Sequence, residues 1–194
     1  MRAARIGPNA ITRVAEALRA SEGDAAALAL FGRAGLVAYL EQPPASMVPE
    51  ADVARLHRLL RDALPGTTAR KISIDAGRRT GDYLLAHRIP RAVQRVLRCV
   101  PPPLASRVLL AAIRRHAWTF AGSGAFSYAF SPDLTLRIAG SPICHRLRAN
   151  EKVCHYFAAT FEHLFKALVS SRTRVEESEC EAEGAAACVF RVDY

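Results

Sequence analysis

The sequence contains no membrane span, no phosphate-binding loop and no evident catalytic set. Its longest strongly apolar runs, AAALALF and VLLAAI, fall far short of the roughly 20 residues that cross a bilayer. The opening stretch MRAARIGPNAITRVAEAL is basic but lacks the apolar segment of a secretory signal. These absences predict a cytoplasmic protein without a transmembrane segment. Thiols stay reduced in that compartment, and the cysteine count is odd, five, so metal binding or plain burial is expected rather than a disulfide framework. The G-x-G of AGSGAF lacks the strand–turn–helix setting of a dinucleotide loop, so no nucleotide cofactor is evident, and Gly122 and Gly124 read as a bend or a close approach. No acid–base pair or nucleophile constellation stands out. There is no internal repeat or low-complexity linker. No helix-turn-helix or aromatic-basic sheet face marks a nucleic-acid reader. Acids are also few: 18 against 27 basic residues, mostly arginine, for a net charge of +9. That balance favours an anionic partner.

What is present is a foldable chain of 194 residues, 51% hydrophobic, long enough for a sizeable core. Residues 1–115 read as a mainly helical region. Pro8 to Ala20 places Ile11, Val14, Ala15 and Leu18 on one face, and Asp24 caps a second, Ala-rich helix ending near Gly32 to Gly35. After the break QPPASMVP, a helix from Pro49 carries Val53, Leu56, Leu59, Leu60 and Ala63 on its apolar side and closes at Pro65-Gly66. Further helices are expected through Tyr83 to His87, from Pro90, and over LASRVLLAAIRRHA. Residues 116–194 change period. His116, Trp118 and Phe120 alternate, as do Phe126, Tyr128 and Phe130, and predict antiparallel strands. ANEKVCHYFAATFEHLFKALVSS is the clearest helix. A strand near Arg172 to Glu177, a turn at Gly184 and a strand CVFRV follow. The expected class is α+β: a helical N-terminal half, then an antiparallel sheet with a long packed helix and a zinc-clipped C-terminal hairpin, all within one compact domain.

Cys154, Glu177, Cys180 and Cys188 form the pattern C-x22-E-x2-C-x7-C. A helix running from Cys154 to Ser170 rises about 24 Å, and seven extended residues return about 23 Å, so Glu177 comes back beside Cys154. Cys180 and Cys188 are equidistant from Gly184, so a hairpin there brings them together. Glu177 and Cys180 are an odd number apart, which requires a bulge or an early turn. Three thiolates and a carboxylate suit a closed, structural zinc site, whose negative charge Lys152, Arg174 or Arg191 would offset. From spacing alone, a buried Cys154 with an incidental hairpin pair stands equally open. Cys99 and Cys144-His145 lack partners at suggestive spacings and read as buried or loop residues. His155 points about 100° away from Cys154 on a helix and is not a ligand.

A second candidate site lies in RRHAWTF. On a strand, His116, Trp118 and Phe120 would form an aromatic wall beside Arg114 and Arg115, with Tyr83 or His87 closing over it. Such a wall suits a flat, apolar ligand bearing carboxylates, and an aromatic core with a satisfied histidine is the plainer alternative.

The stretches RIGPNAITRVAEAL, RRTGDYLLAHRIP and HAWTFAGSGAF, with the C-terminal cysteine pattern, resemble the bacteriochlorophyll 4-vinyl reductase proteins of phototrophic bacteria, over nearly the whole chain. The C-terminal half is similar to the vinyl-reductase-type small-molecule-binding domain, which also occurs in phenol-sensing transcription activators, where the same cysteine, glutamate, cysteine, cysteine spacing binds zinc. The resemblance implies structural Zn²⁺ at Cys154, Glu177, Cys180 and Cys188. It also implies an apolar ligand cavity, a homodimer, contact with chlorophyll-pathway enzymes and a role in reducing a vinyl group. The sensors' phenol-site His and Trp have no counterparts at matching spacings. A vinyl reduction needs a hydride or electron donor, for which the sequence shows no motif. The expected function is therefore binding of a tetrapyrrole of Mg-porphyrin or protochlorophyllide type, as carrier or accessory protein in bacteriochlorophyll biosynthesis. A reductase drawing on an external reductant and a small-molecule sensor are the alternatives.

Overall fold

A computed structural model describes residues 4–144 and 147–194. The chain opens with β1 (Arg5–Ile6), then α1 (Asn9–Ala34), α2 (Ala38–Glu41), β2 (Val48–Pro49), α3 (Glu50–Ala63), α4 (Gly66–His87), α5 (Arg91–Cys99), α6 (Pro102–Arg115) and α7 (Trp118–Ala121). Strands β3 (Ala125–Ala129) and β4 (Thr135–Ala139) follow, then α8 (His155–Leu168), β5 (Arg174–Glu179) and β6 (Cys188–Asp193). The helices begin and end where the sequence places its punctuation. The two helices expected before Gly35 join in α1 with a kink at Gly23, and Gly35 closes α1 in the left-handed conformation, its N–H donating to the Gly32 carbonyl. Prolines stand at or just ahead of the starts of α3, α4, α5 and α6, where a missing N–H costs nothing. The helix expected through Tyr83 is the end of α4, which starts some 17 residues earlier.

Four strands form an antiparallel sheet in the order β3-β4-β6-β5, and β1 pairs with β2 in a small separate ribbon. Helix α8 lies between the sheet and α4. Its phenylalanines face the sheet, where Phe161 meets Phe126 and Phe190. The opposite side meets α4 at unusually close range. A Cβ on Gly77 would overlap the Tyr156 carbonyl oxygen and lie 2.8 Å from the Ala159 Cβ, and one on Gly81 would lie 2.6 Å from the His163 ring. Glycines spaced by four thus let the α4 and α8 backbones touch, and Thr160 donates across the contact to the Gly77 carbonyl. Helix α1 covers α4, and α3 packs on α1 through a fully buried His57, whose Nε2–H donates to the Ala10 carbonyl.

One strand expectation is corrected. Residues 116–121 are helical: Thr119 and Phe120 donate their N–H groups to the carbonyls of His116 and Ala117. Alternating aromatics predicted a strand, but α7 continues the helical path until Gly122 (φ 60) ends it, and the sheet begins only at Ala125. The second glycine of this stretch serves close approach. A Cβ on Gly124 would lie 2.5 Å from the Ala139 and Gly140 carbonyls.

Candidate metal centre and ligand surface

Four elements bring four thiols together. Cys144 sits in the turn after β4, Cys154 caps the start of α8, Cys180 follows β5, and Cys188 begins β6. All four are buried, and their sulfurs lie within 4.8 Å of one another. Cys144 Sγ is 3.2 Å from Cys154, 3.4 Å from Cys188 and 3.8 Å from Cys180, and Cys154 and Cys188 are 3.2 Å apart. These exceed a disulfide bond of about 2.05 Å, and all five cysteines are free. Metal–sulfur bonds of about 2.3 Å in a tetrahedron put neighbouring sulfurs about 3.8 Å apart, so a small adjustment around a cation fits.

The electrostatics point the same way. Burial and the neighbouring thiols hold Cys154 well above the ordinary thiol range, and hydrogen bonding with Cys144 raises Cys188. Cys180 is pulled down by hydrogen bonds from Cys144, Cys154 and Cys188. Left to themselves the four sulfurs thus accommodate little negative charge, whereas a divalent soft cation lets all four ionise. Four thiolates and one such ion leave two negative charges. Arg61 of α3 stands by: its guanidinium is lowered by burial and raised by Cys144, Cys154 and Cys180, and it reaches the Ile143 carbonyl at 3.5 Å. Two of the expected counter-charges are engaged elsewhere, Arg174 with Glu162 and Arg191 with Asp193, while Lys152 lines a neighbouring cleft.

Glu177 stands beside the four sulfurs and outside their cluster. Its Oε2 accepts the Cys154 N–H at 2.8 Å, while Oε1 is buried without a partner among the described residues. Burial, with a contribution from Cys180, pushes its carboxyl up to about 8. The expected bulge is present: pairing between β5 and β6 shifts register between Glu177 and Glu179, which turns Cys180 inward. Cys144, read from the sequence as a buried or loop residue, supplies the fourth thiol. Its 36-residue distance from Cys180 concealed it, because the β4 turn that delivers it is a tertiary feature. His145 lies outside the described residues. Glu181 holds that turn in place, its carboxylate accepting the N–H groups of Gly140 at 2.6 Å and Ser141 at 2.8 Å.

The aromatic wall expected from the sequence does not form. Residues two apart on a helix point about 200° apart. Trp118 accordingly stands 61% exposed, while Phe120 turns inward against Phe126 at 5.4 Å and Phe161 at 6.1 Å. His116, Arg114 and Arg115 are exposed at the end of α6. Tyr83 and His87 stack on one another at 4.7 Å at the end of α4, with Arg13 and Arg88 over the Tyr83 ring. The structure offers another aromatic row. Phe126, Tyr128 and Phe130 lie along the edge strand β3 and its end, with neighbouring centroids 6.3 Å and 5.6 Å apart, and continue from Phe120. Phe120, Tyr128 and Phe130 are only partly buried, and Arg107 of α6 lies 5.0 Å over Phe130. The alternation in AFSYAF was the readable signal for this row. A separate cleft of about 640 Å³ between α4, α8 and β5 is lined by charged side chains, among them Arg70, Arg78, Lys152 and Glu176.

Comparison with known proteins bears on these features. The vinyl-4-reductase domain family matches residues 134–193, a span that includes all four clustered cysteines. Over 97% of its length the chain is 43% identical to the bacteriochlorophyll synthase 23 kDa chain of Cereibacter sphaeroides, of which it covers 90%. It is 38% identical over 96% of its length to the protein of the same description from Rhodobacter capsulatus, of which it covers 85%. A solved structure from a study of heme distortion in the H-NOX family shares the fold, with a TM-score of 0.54 and 14% identity across 97% of this chain and 95% of that one.

Proposed function

Because the chain belongs to the family of the bacteriochlorophyll synthase 23 kDa chains, with a vinyl-4-reductase domain at its C-terminal end, we propose that it serves bacteriochlorophyll biosynthesis as a tetrapyrrole-binding carrier or accessory protein. The observation that carries the binding reading is the half-open aromatic row of Phe120, Phe126, Tyr128 and Phe130, overlain by Arg107. A flat macrocycle gains from stacking and area burial on such a row, and its carboxylates gain from arginine. Arg114 and Arg115 lie at the rim, where α6 ends, with exposed His116 as the available axial nitrogen for a magnesium centre and Trp118 beside it. Tyr83 and His87, engaged with each other, take a secondary place. The fold is also one that an H-NOX protein, studied for its heme, uses over nearly its whole length.

The four-cysteine centre holds structural Zn²⁺ in this reading, with Cys144 taking the place expected of Glu177. Four sulfurs close the coordination shell, so the metal's part is to tie the β4 turn, α8 and the C-terminal strands together. Glu177 orients Cys154 through its N–H, and Arg61 offsets the charge. Association as a homodimer through the outer half of α1, where Leu28 is exposed, belongs to the same reading, as does contact with pathway enzymes.

Titration of purified protein with a Mg-porphyrin tests the function. Binding should quench the fluorescence of Trp118, the single tryptophan. Phe130→Ala should weaken binding by about 1–3 kcal/mol through lost aromatic burial. Tight binding that leaves both signals untouched would move the site elsewhere. Turnover of a divinyl pigment with NADPH and no other protein would replace the carrier reading with the reductase.

A further inference from the structure

Between Tyr83 and Pro132 the chain has fifty residues without one aspartate or glutamate. At the chain's average density such a stretch would hold about five, so the charge there is strongly one-sided. It carries seven arginines, and among the described residues none of them pairs with a carboxylate. The centre of this stretch is the pair α5 and α6, which pack on each other across the turn Val100–Pro101.

Each helix of the pair buries one side and presents apolar residues on the other. In α6, Ala105, Ser106, Leu109 and Leu110 face inward, and the stripe Leu104, Val108, Ala111, Arg115 faces out at helical spacing. In α5, Gln94 and Leu97 are buried, and Ala92, Val96 and Cys99 form the outward stripe, flanked by Arg91 and Arg95. Seven large hydrophobic residues are exposed among the described residues, and five of them fall in this stretch: Val93 at 42%, Val96 at 61%, Leu104 at 51%, Val108 at 48% and Trp118 at 61%. Isolated exposed aliphatics need no explanation, but a cluster ringed by unpaired arginines does.

We propose that the outward face of α5 and α6 is a docking surface for an anionic membrane, on which the protein rests without spanning it. Aliphatic stripes entering the acyl boundary, arginines at headgroup level and a tryptophan at the margin are the chemistry of an interfacial helix. No helix among the described residues is long and apolar enough to cross a bilayer, so this is surface attachment. A second copy is disfavoured as the occupant, since it would set one all-basic face against another. Nucleic-acid phosphates would use the arginines but gain nothing from Val96, Leu104 and Val108. The proposal does not rest on pigment binding, and its test uses none.

The full-length protein is floated with vesicles of phosphatidylcholine alone and of phosphatidylcholine with phosphatidylglycerol at about 7:3. It should rise with the anionic vesicles in low salt, stay down with the neutral ones, and come off in high salt. Trp118 emission should shift to the blue on binding. V96D/L104D should abolish flotation. R91Q/R95Q, which leaves every packed residue in place, should lower partition about 30-fold, at about fivefold per arginine. If V96D/L104D fails to fold, the arginine pair decides by itself. No flotation in low salt, or flotation indifferent to R91Q/R95Q, overturns the proposal. So does a V96D/L104D variant that floats normally but no longer sediments as a dimer, or one that retains tRNA binding when the native protein ignores vesicles.

Discussion

Replacing Cys144 with serine separates an all-thiolate metal centre from one completed by Glu177. The native sulfurs are 3.2–3.8 Å apart, against about 3.8 Å along the edge of a tetrahedral zinc–thiolate unit. A serine hydroxyl at Cys144 does not ionise near neutral pH and is a hard donor, so the set falls to three. Structural zinc sites bind with roughly 10–16 kcal/mol, which is about 3–4 kcal/mol for each of four ligands. Cys144→Ser should therefore weaken metal binding by about two to three orders of magnitude. Glu177→Gln keeps an oxygen that can accept the Cys154 N–H and exchanges a charge-assisted bond for a neutral one. It should cost about 1 kcal/mol of stability and leave the metal in place. The assay is metal content per chain after passage over a chelating resin, with thermal unfolding of the same samples. The native protein and Glu177→Gln should keep about one zinc per chain, and Cys144→Ser should lose it and melt early. A Cys144→Ser protein that keeps its zinc, beside a Glu177→Gln protein that loses it, would refute the four-thiol assignment.

Arg61→Gln leaves the cluster's excess negative charge uncompensated and should lower zinc affinity about 10–100-fold, measured by competition with a chelating dye; unchanged affinity would remove Arg61 from the site. Gly77→Ala gains about 1 kcal/mol of helix propensity but drives a methyl into the Tyr156 carbonyl oxygen, an overpacking cost of about 1–3 kcal/mol, so urea unfolding should show a net loss of about 1–2 kcal/mol. His57 is buried neutral, its pKa lowered by burial to about 4 from 6.5. The unfolded chain therefore binds the proton first, and the stability His57 contributes is present above pH 6.5 and lost as pH falls toward 4. Between about pH 7 and pH 5 this amounts to about 2 kcal/mol, which should be absent in His57→Gln when urea midpoints are compared at the two pH values.

The sequence by itself determined the helices and most of their ends, because proline, glycine and apolar period act locally: α3, α5 and α6 lie where Pro49, Pro90 and the VPPP break set them. It determined the last two strands and the bulge between Glu177 and Cys180, since a side-chain period of two cannot otherwise turn both inward. It also determined three of the four clustered sulfurs, through their symmetry about Gly184 and the return of the chain along α8. The fourth came only from the tertiary structure. Cys144 reaches the cluster because β4 pairs with β6 and the following turn is clamped by Glu181, contacts about forty residues apart that leave no local periodicity. The same holds for Arg61, delivered from α3 across more than eighty residues. Residues 116–121 show the converse. Alternating His116, Trp118 and Phe120 looked like a strand, but six residues cannot fix a period when the chain entering them is already helical. Hydrogen bonds continuing from α6 decided the conformation, sending Phe120 to the core and Trp118 to the surface.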